Sequence, residues 1–144
     1  MAIAIALAVP TDQDAITQVL TKAQLPTQDL PKGTPHFLVA KDKDTVVGTA
    51  GVEIHGFYAL LRSVAVEEAF QNQGIAKQLT KAAIKEAIKQ DVCEIYLITT
   101  SAEQYFKKQG FEQVERSDVP PEIAQTSQFS DVCPSSAVVM RKLL

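Results

Sequence analysis

The sequence predicts an α/β (α+β) fold in a single domain, 1–144, with a mixed central sheet and helices on both faces of the sheet. A length of 144 residues fits one domain of ordinary size. Apolar residues make up 46% of the chain, which is enough to bury a substantial core. Strand and helix patterns follow one another in the order β-α-β-β-β-α-β-α-β-turn-β. This order differs from the regular alternation of dinucleotide-binding folds.

The first half of the chain predicts one helix among four strands. Alternating apolar residues predict a first strand that Pro10 ends, and Thr11 or Asp12 can cap the helix behind it. A loop with three prolines follows the helix. In order, the predicted elements are a strand over 3–9, a helix over 12–23, a loop over 24–35, and strands over 36–40, 45–56 and 58–66.

The second half predicts an amphipathic helix, a buried strand and shorter elements. Residues 93–100 are a nearly continuous apolar run, as expected of a strand covered on both faces. Cys93 lies in this run, so we expect its thiol to be buried. The predicted elements are a helix over 75–90, a strand over 93–100, a helix over 101–109 that Gly110 ends, a strand over 111–116, a helical turn over 120–126 and a last strand over 135–144.

Composition excludes several kinds of partner. The net charge of −3 and a pI near 5.4 provide no basic field for nucleic acid or an anionic membrane. The apolar N-terminal stretch is too short to span a bilayer and has no basic flank, which predicts a cytoplasmic protein. Cys93 and Cys133 have no metal-ligand spacing, so no metal is predicted.

Residues 71–76 read QNQGIA and stand between a predicted strand and a predicted helix. The first N–H groups of a helix have no partner inside it, and the helix dipole adds partial positive charge there. Gly74 allows the main chain to approach an oxygen closely. The segment matches neither GxxxxGK[ST] nor GxGxxG. A loop without side-chain charge can therefore bind phosphate through its amides.

The run from LLRSVAV through EEAF to QNQGIAKQLTKAAIKEA resembles the acetyl-CoA-binding motif of the GNAT N-acetyltransferases. Gln71, Gly74 and Ala76 match the motif, and Val66 ends the preceding strand. The Gly110-Phe111 pair after a short helix is similar to another feature of the family. The stretches PHFLVA, GVEIHG, YLITT and FSDVCPSSAVVM resemble the arsenic-resistance branch.

This resemblance implies an acetyl-CoA-dependent transfer to the primary amine of a small molecule, such as an amino acid or an arsenic-containing analogue. The amine attacks the thioester directly in a ternary complex, where strands 60–66 and 93–100 separate in a V. The pantetheine arm pairs with the first of these strands, and the pyrophosphate binds the loop amides. The residues that the resemblance assigns to acetyl-CoA are Val64, Ala65, Val66, Gln71, Asn72, Gln73, Gly74, Ile75, Ala76, Lys77, Thr99 and Phe106.

Glu53, Arg62 and Cys133 are the candidates for acceptor binding, the first two also for catalysis. Glu53 is predicted as the base or as the carboxylate that binds the amine; alternatively it faces solvent or pairs with Arg62. Arg62 stands in an apolar strand, where its charge is costly unless paired. It clamps a substrate carboxylate or pairs with Glu53. His55 shares a strand face with Glu53, or is only a turn residue. Cys133 lines the acceptor pocket, binds an arsenical directly as a thiolate, or packs structurally.

The sequence departs from the family pattern at the leaving group. Where many members have a proton-donating tyrosine, this chain has Phe106, and Tyr105 is turned away by about 100°. The CoA thiolate then leaves unprotonated or takes a proton from water, Ser101 or Tyr96. Thr99 stands where an asparagine is frequent. A catalytically degenerate sensor or regulatory subunit that binds CoA or acetyl-CoA is therefore the alternative function. The resemblance is compatible with a homodimer.

Overall fold

The computed structural model describes residues 3–23, 36–99, 102–125 and 137–144. The order of helices and strands in these ranges is the predicted one. The strands are β1 (Ile3–Leu7), β2 (Phe37–Asp42), β3 (Thr45–His55), β4 (Tyr58–Val66), β5 (Glu94–Thr99), β6 (Glu112–Val114) and β7 (Val138–Leu143). The α-helices are α1 (Gln13–Lys22), α2 (Ile75–Lys89), α3 (Glu103–Lys108) and α4 (Pro121–Ala124).

The strands of the described chain form one mixed sheet in the order β1-β2-β3-β4-β5-β7-β6. β4 and β5 are parallel, and Tyr58–Leu60 stand opposite Glu94–Tyr96. β1 with β2, β2 with β3, β5 with β7 and β6 with β7 are antiparallel. The mixed sheet is thus confirmed, and the V-shaped separation beyond the paired residues of β4 and β5 stays a prediction.

The chain folds as two compact units, of which the first comprises residues 1–52 and 63–86. Its core forms where α1 packs on β2, β3 and β4. The buried residues of this cluster are Ile16, Val19, Leu20, Phe37, Val39, Val46 and Ala65. The three from α1 follow the helical spacing that predicted the element. The N-terminal strand β1 pairs along β2 in the same unit.

Asp12 anchors the start of α1. Its carboxylate accepts a hydrogen bond from the Val9 amide at 2.9 Å and forms an ion pair with Lys41 Nζ at 3.0 Å. Burial alone would raise the pKa of Asp12, but the Val9 hydrogen bond and the Lys41 charge outweigh it and hold that pKa below its ordinary value. The ionised carboxylate is therefore the form that stabilises this unit.

β3 contains a bulge and two close approaches at its glycines. The register with β2 shifts between Ala40 and Lys41, which face Gly48 and Val46. A Cβ on Gly48 would lie 3.0 Å from Leu79 of α2, and one on Gly51 would lie 2.5 Å from the Phe37 ring. A side chain at residue 51 would therefore force the Phe37 ring to shift, whereas one at residue 48 would make a tight contact with its neighbours.

The second unit comprises residues 53–62 and 87–144. Leu60, Tyr96, Val119, Ile123 and Val139 form its buried cluster. These residues come from strands β4, β5 and β7, from α4 and from the segment before α4. Within the described residues, no helix has the length and apolar character that crossing a membrane requires.

The prediction that the Cys93 thiol is buried is wrong, because the side chain is exposed. β5 begins one residue later, at Glu94. Cys93 is held by its main chain instead: its N–H donates to Phe57 O at 2.7 Å, and its carbonyl accepts from Leu144 N at 2.9 Å. The apolar run in the sequence therefore begins one residue before the strand itself.

Candidate active site

The segment from Gln71 to Gly74 forms a tight, exposed loop ahead of α2. Asn72 and Gly74 both have left-handed backbones, with φ of 65° and 79°. The Gln71 side chain closes the loop, because its Nε2 donates to Val66 O at 3.0 Å. The Gly74 carbonyl accepts from Gln78 N at 3.1 Å, which starts the helix. The loop thus delivers the chain directly into the first turn of α2.

The start of α2 has the properties of an anion site. The amides of the first helical turn have no acceptor within the helix, and the dipole of α2 makes this end positive. A Cβ added to Gly74 would meet no atom within 4 Å, so the surface above the loop is open. Lys77 is exposed in the first turn, and no other described residue forms an ion pair with it. These residues fit a phosphate group, such as the pyrophosphate that the resemblance places at this loop.

β4 carries a backbone irregularity that the sequence did not reveal. Ser63 lies in the middle of the strand with a φ of 57°, which is uncommon for a residue other than glycine. Thr49 of β3 is fully buried, and its Oγ1 donates to Ser63 O at 2.7 Å. The irregularity directly precedes Val64–Val66, the predicted pantetheine strand. Ala65 is tied into the α1 core, while Val64 and Val66 are only partly buried.

A cavity of about 430 Å³ lies beside the end of β4, within the first unit. Glu67 in its wall forms an ion pair with Lys22 of α1 at 3.3 Å. The residues that line it are Val19, Lys22, Ala23, Val66, Glu67, Glu68 and Gln71. Two of them, Val66 and Gln71, were predicted to bind acetyl-CoA.

A second group of predicted residues meets in the other unit. Arg62 NH1 lies 3.1 Å from Glu53 Oε2, and His55 Nε2 lies 3.7 Å from Glu53 Oε1. The Arg62 side chain is 1% exposed, compared with 21% for Glu53 and 32% for His55. The prediction that Glu53 and His55 share a strand face is confirmed. We refer to Glu53, His55 and Arg62 as the charge cluster.

The structure brings Arg62 and Glu53 together, so pairing is the observed alternative of the two considered for this arginine. Burying a guanidinium is costly, and a carboxylate at hydrogen-bond distance compensates for that cost. The contact fixes one oxygen of Glu53 and leaves Oε1 directed toward His55. Arg62 therefore binds Glu53 in this structure. The contact gives no support to the alternative, in which Arg62 binds a carboxylate of the substrate.

Two of the residues considered for the leaving thiolate, Phe106 and Tyr96, lie within the described part of the chain. Phe106 is buried and packs edge-on against Phe111 and Tyr105. The Tyr96 hydroxyl donates to Glu94 Oε1 at 2.7 Å. Burial, and then that hydrogen bond, raise the pKa of Tyr96 to about 12. A phenol that holds its proton so firmly is a poor acid for a thiolate.

Thr99 and His36 each contact a neighbouring element, and two other residues considered for the site fall outside the described ranges. Thr99 Oγ1 accepts a hydrogen bond from Ala102 N at 2.9 Å and so helps to begin α3. His36 lies 3.3 Å from Glu86 of α2 through its Nδ1. Cys133 and Ser101 lie outside the described residues. In the ranges that the structure describes, no group of three or more His, Cys, Asp or Glu residues could hold a metal ion.

Residues 33–113 match the family model described as "Acetyltransferase (GNAT) domain". The chain belongs to this family. The matched segment begins four residues before β2, ends within β6, and contains both the glycine loop and the charge cluster. The chain is also 31% identical over 88 residues to an uncharacterized N-acetyltransferase of Chlorobaculum tepidum, an alignment that covers 60% of this chain and 56% of that protein.

Solved structures share the fold at low sequence identity. N-acetylglutamate synthase from Neisseria gonorrhoeae, complexed with coenzyme A and N-acetyl-glutamate, has a TM-score of 0.84 at 14% identity and covers 100% of this chain. This chain covers 35% of that synthase. Rv2747 from Mycobacterium tuberculosis, in complex with CoA and NLQ, has a TM-score of 0.80 at 19% identity, with 98% and 99% of the two chains covered. A GNAT acetyltransferase from Staphylococcus aureus Mu50 has a TM-score of 0.78 at 19% identity and covers 99% of both chains. The predicted GNAT fold is thus confirmed.

Proposed function

We propose that this GNAT protein is an N-acetyltransferase that moves the acetyl group of acetyl-CoA to the primary amine of a small molecule. The observation that carries the proposal is the exposed loop 71–74 at the start of α2, with Gly74 left-handed and open above. It lies at the motif by which the sequence resembles acetyl-CoA-binding enzymes. The CoA-bound state of structures with the same fold supports the same cosubstrate here.

In this proposal the cosubstrate is held by main chain more than by side chains. The pyrophosphate binds the amides from Asn72 to Lys77, with Lys77 as the nearest cation. The pantetheine amides pair with the strand residues Val64–Val66, which follow the left-handed Ser63. Because Ala65 is packed into the α1 core, this strand segment is held in place before the cosubstrate arrives. Thr99 and Phe106 remain proposed contacts of the thiol end.

The charge cluster supplies the chemistry on the amine. An amine attacks a thioester only as the neutral base, so an ammonium must first lose a proton. Glu53 is the proposed acceptor of that proton, with Oε2 fixed by Arg62 and Oε1 available to the substrate. Attack on the carbonyl carbon gives an oxyanion, which a backbone N–H near Val64 can stabilise. The C–S bond then breaks and CoA leaves as its thiolate, consistent with Phe106 in place of a tyrosine.

An amino acid is the proposed acceptor class. The complex of a structurally similar synthase with N-acetyl-glutamate supports this class. An arsenic-containing amino acid analogue is a narrower form of the same proposal, which rests on the resemblance of FSDVCPSSAVVM and Cys133 to the arsenic-resistance branch. The net charge of −3 provides no basic field for nucleic acid or an anionic membrane, which supports a small molecule as the acceptor.

One observation favours a second candidate, a catalytically degenerate subunit that senses acetyl-CoA. Phe106 is buried against Phe111, so this position provides no acid for the thiolate. Such a sensor would bind acetyl-CoA with the same loop and would release no thiol when amines are added.

A thiol-release assay with acetyl-CoA and a panel of amines separates the two candidates. The panel contains the twenty amino acids, with glutamate and glutamine as leading compounds, and ethylamine and putrescine as amines without a carboxylate. We expect release above the amine-free background with at least one compound. Saturable acetyl-CoA binding without amine-dependent release across the panel would support the sensor and contradict the enzyme.

A further inference from the structure

The Nε2 atom of His55 is in an unusual position for a polar atom. It is buried, and no described residue forms a hydrogen bond with it. Buried polar atoms in folded proteins are normally paired. Glu53 Oε1 lies 3.7 Å from His55 Nε2, which is beyond the range of a hydrogen bond. The ring as a whole is 32% exposed, so one side of the imidazole reaches solvent while Nε2 faces the carboxylate.

Arg62 determines which oxygen of Glu53 is directed toward His55. Its NH1 holds Glu53 Oε2 at 3.1 Å, and its own side chain is almost fully buried. One carboxylate oxygen is therefore engaged by a permanent cation, and the other is directed to the histidine. A carboxylate held in this way can pass on only a proton that arrives on Oε1, since Oε2 already accepts from a guanidinium.

We propose that His55 is a proton relay that returns Glu53 to its ionised form in each catalytic cycle. This inference rests on the proposed function. The substrate ammonium gives one proton to Glu53 Oε1, and Glu53 gives it to Nε2 of the neutral imidazole. The imidazole releases its Nδ1 proton to solvent through its exposed side. A movement of less than 1 Å brings Nε2 and Oε1 from 3.7 Å to hydrogen-bond distance.

The step balances without any further reactant. The neutral amine forms the C–N bond, the C–S bond breaks, and CoA leaves with the electron pair as a thiolate. The second amine proton is lost from nitrogen to the thiolate or to water. Histidine suits the relay because an imidazole accepts a proton on one nitrogen while it releases one from the other near neutral pH. His55 is thus a positioning and transfer residue that acts through Glu53.

The test uses the two histidines of the chain as a matched pair. His55→Asn removes the relay, whereas His36→Asn removes the histidine that contacts Glu86 and has no part in the reaction. With the most active amine of the panel above, we expect His55→Asn to lower kcat by at least about tenfold. The affinity for acetyl-CoA in calorimetry stays within about twofold of wild type, because the loop and Val64–Val66 are unchanged. His36→Asn keeps the wild-type kcat.

Chemical rescue distinguishes a relay from a structural role. Added imidazole should raise kcat of His55→Ala several-fold and leave the wild type and His36→Asn unchanged, since a free base can take the proton from Glu53. A wild-type kcat in His55→Asn, or a low kcat of His55→Ala that imidazole does not change, overturns the relay while amine acetylation stands. Absence of thiol release in the wild type overturns the proposed function itself, and the relay with it.

Discussion

The glycine loop and the charge cluster differ in the groups that they offer to a ligand: the loop offers main-chain amides, and the cluster offers charged side chains. The loop at 71–74 is exposed, carries no side-chain charge and shapes its site with two left-handed residues. The cluster places an almost fully buried guanidinium on a carboxylate and sets a histidine beside it. The first offers a fixed array of N–H donors, as a phosphate needs. The second offers a base of defined orientation, as an amine needs. Backbone changes should therefore impair the loop, and side-chain changes should impair the cluster.

The largest effect is expected from Glu53→Gln. The substitution removes the charge that compensates buried Arg62 and should lower the free energy of unfolding by about 3 kcal/mol. Amine acetylation should fall by about 100-fold or more, since the base is lost. Urea unfolding and the thiol-release assay measure the two effects. The double variant with Arg62→Met should be more stable than Glu53→Gln alone, and equal stability of the two would show that Arg62 does not depend on Glu53.

A pair of glycine variants tests the loop. Gly74→Ala and Gly56→Ala both place a Cβ on a left-handed residue with open space around it, with φ of 79° and 67°. Each should destabilise the protein by about 1–2 kcal/mol through backbone strain. Only Gly74→Ala should weaken acetyl-CoA binding, because only that residue shapes the loop. Calorimetry on both variants checks this, and an equal loss of affinity would mean that the effect is general strain.

Asp12→Asn tests whether the Asp12–Lys41 ion pair, which lies in the same compact unit as the glycine loop, affects acetyl-CoA binding. The pKa of Asp12 is held below its ordinary value of 3.8. Its contribution to stability is therefore complete above that ordinary value and is lost as the pH falls through the lowered pKa. We expect the variant to lose about 1 kcal/mol at pH 7 and less at acidic pH. Its acetyl-CoA affinity at pH 7 should equal that of the wild type; a large loss would mean that Asp12–Lys41 supports the loop.

The smallest effect is expected from Lys77→Met. Lys77 is exposed, so its attraction to a phosphate is screened by solvent and salt. We expect acetyl-CoA affinity to fall by about two- to fivefold at low salt, and by less at high salt. Titrations at two ionic strengths measure this. A loss as large as that of Gly74→Ala would indicate a loop that relies on charge.

Element order and the loop could be read from the sequence because both depend on local patterns. Period-two and helical spacings predicted β1, α1 and α2, and one glycine before a helix indicated the turn. The position of Glu53 and His55 on one face of β3 follows from the two-residue period of a strand. Cys93 shows the limit of this approach, because a strand boundary displaced by one residue changes whether a side chain is buried.

Contacts that depend on register could not be read in the same way. Whether Arg62 meets Glu53 depends on how β3 and β4 align, and no residue type specifies that alignment. The left-handed Ser63 carries no signal either, since serine is ordinary in strands and loops alike. Its partner Thr49 is an unremarkable strand residue until the fold brings the two together.

The most direct test of the account is a calorimetric titration of acetyl-CoA into the wild type, Gly74→Glu and Gly74→Gln. In the proposed complex, main-chain amides at the start of α2 bind the pyrophosphate. We predict saturable binding by the wild type, weaker binding by Gly74→Gln, and none by Gly74→Glu. The added carboxylate repels the phosphates at a site made mainly of backbone donors, with the exposed Lys77 as the nearest cation. Unchanged affinity in Gly74→Glu would contradict the account.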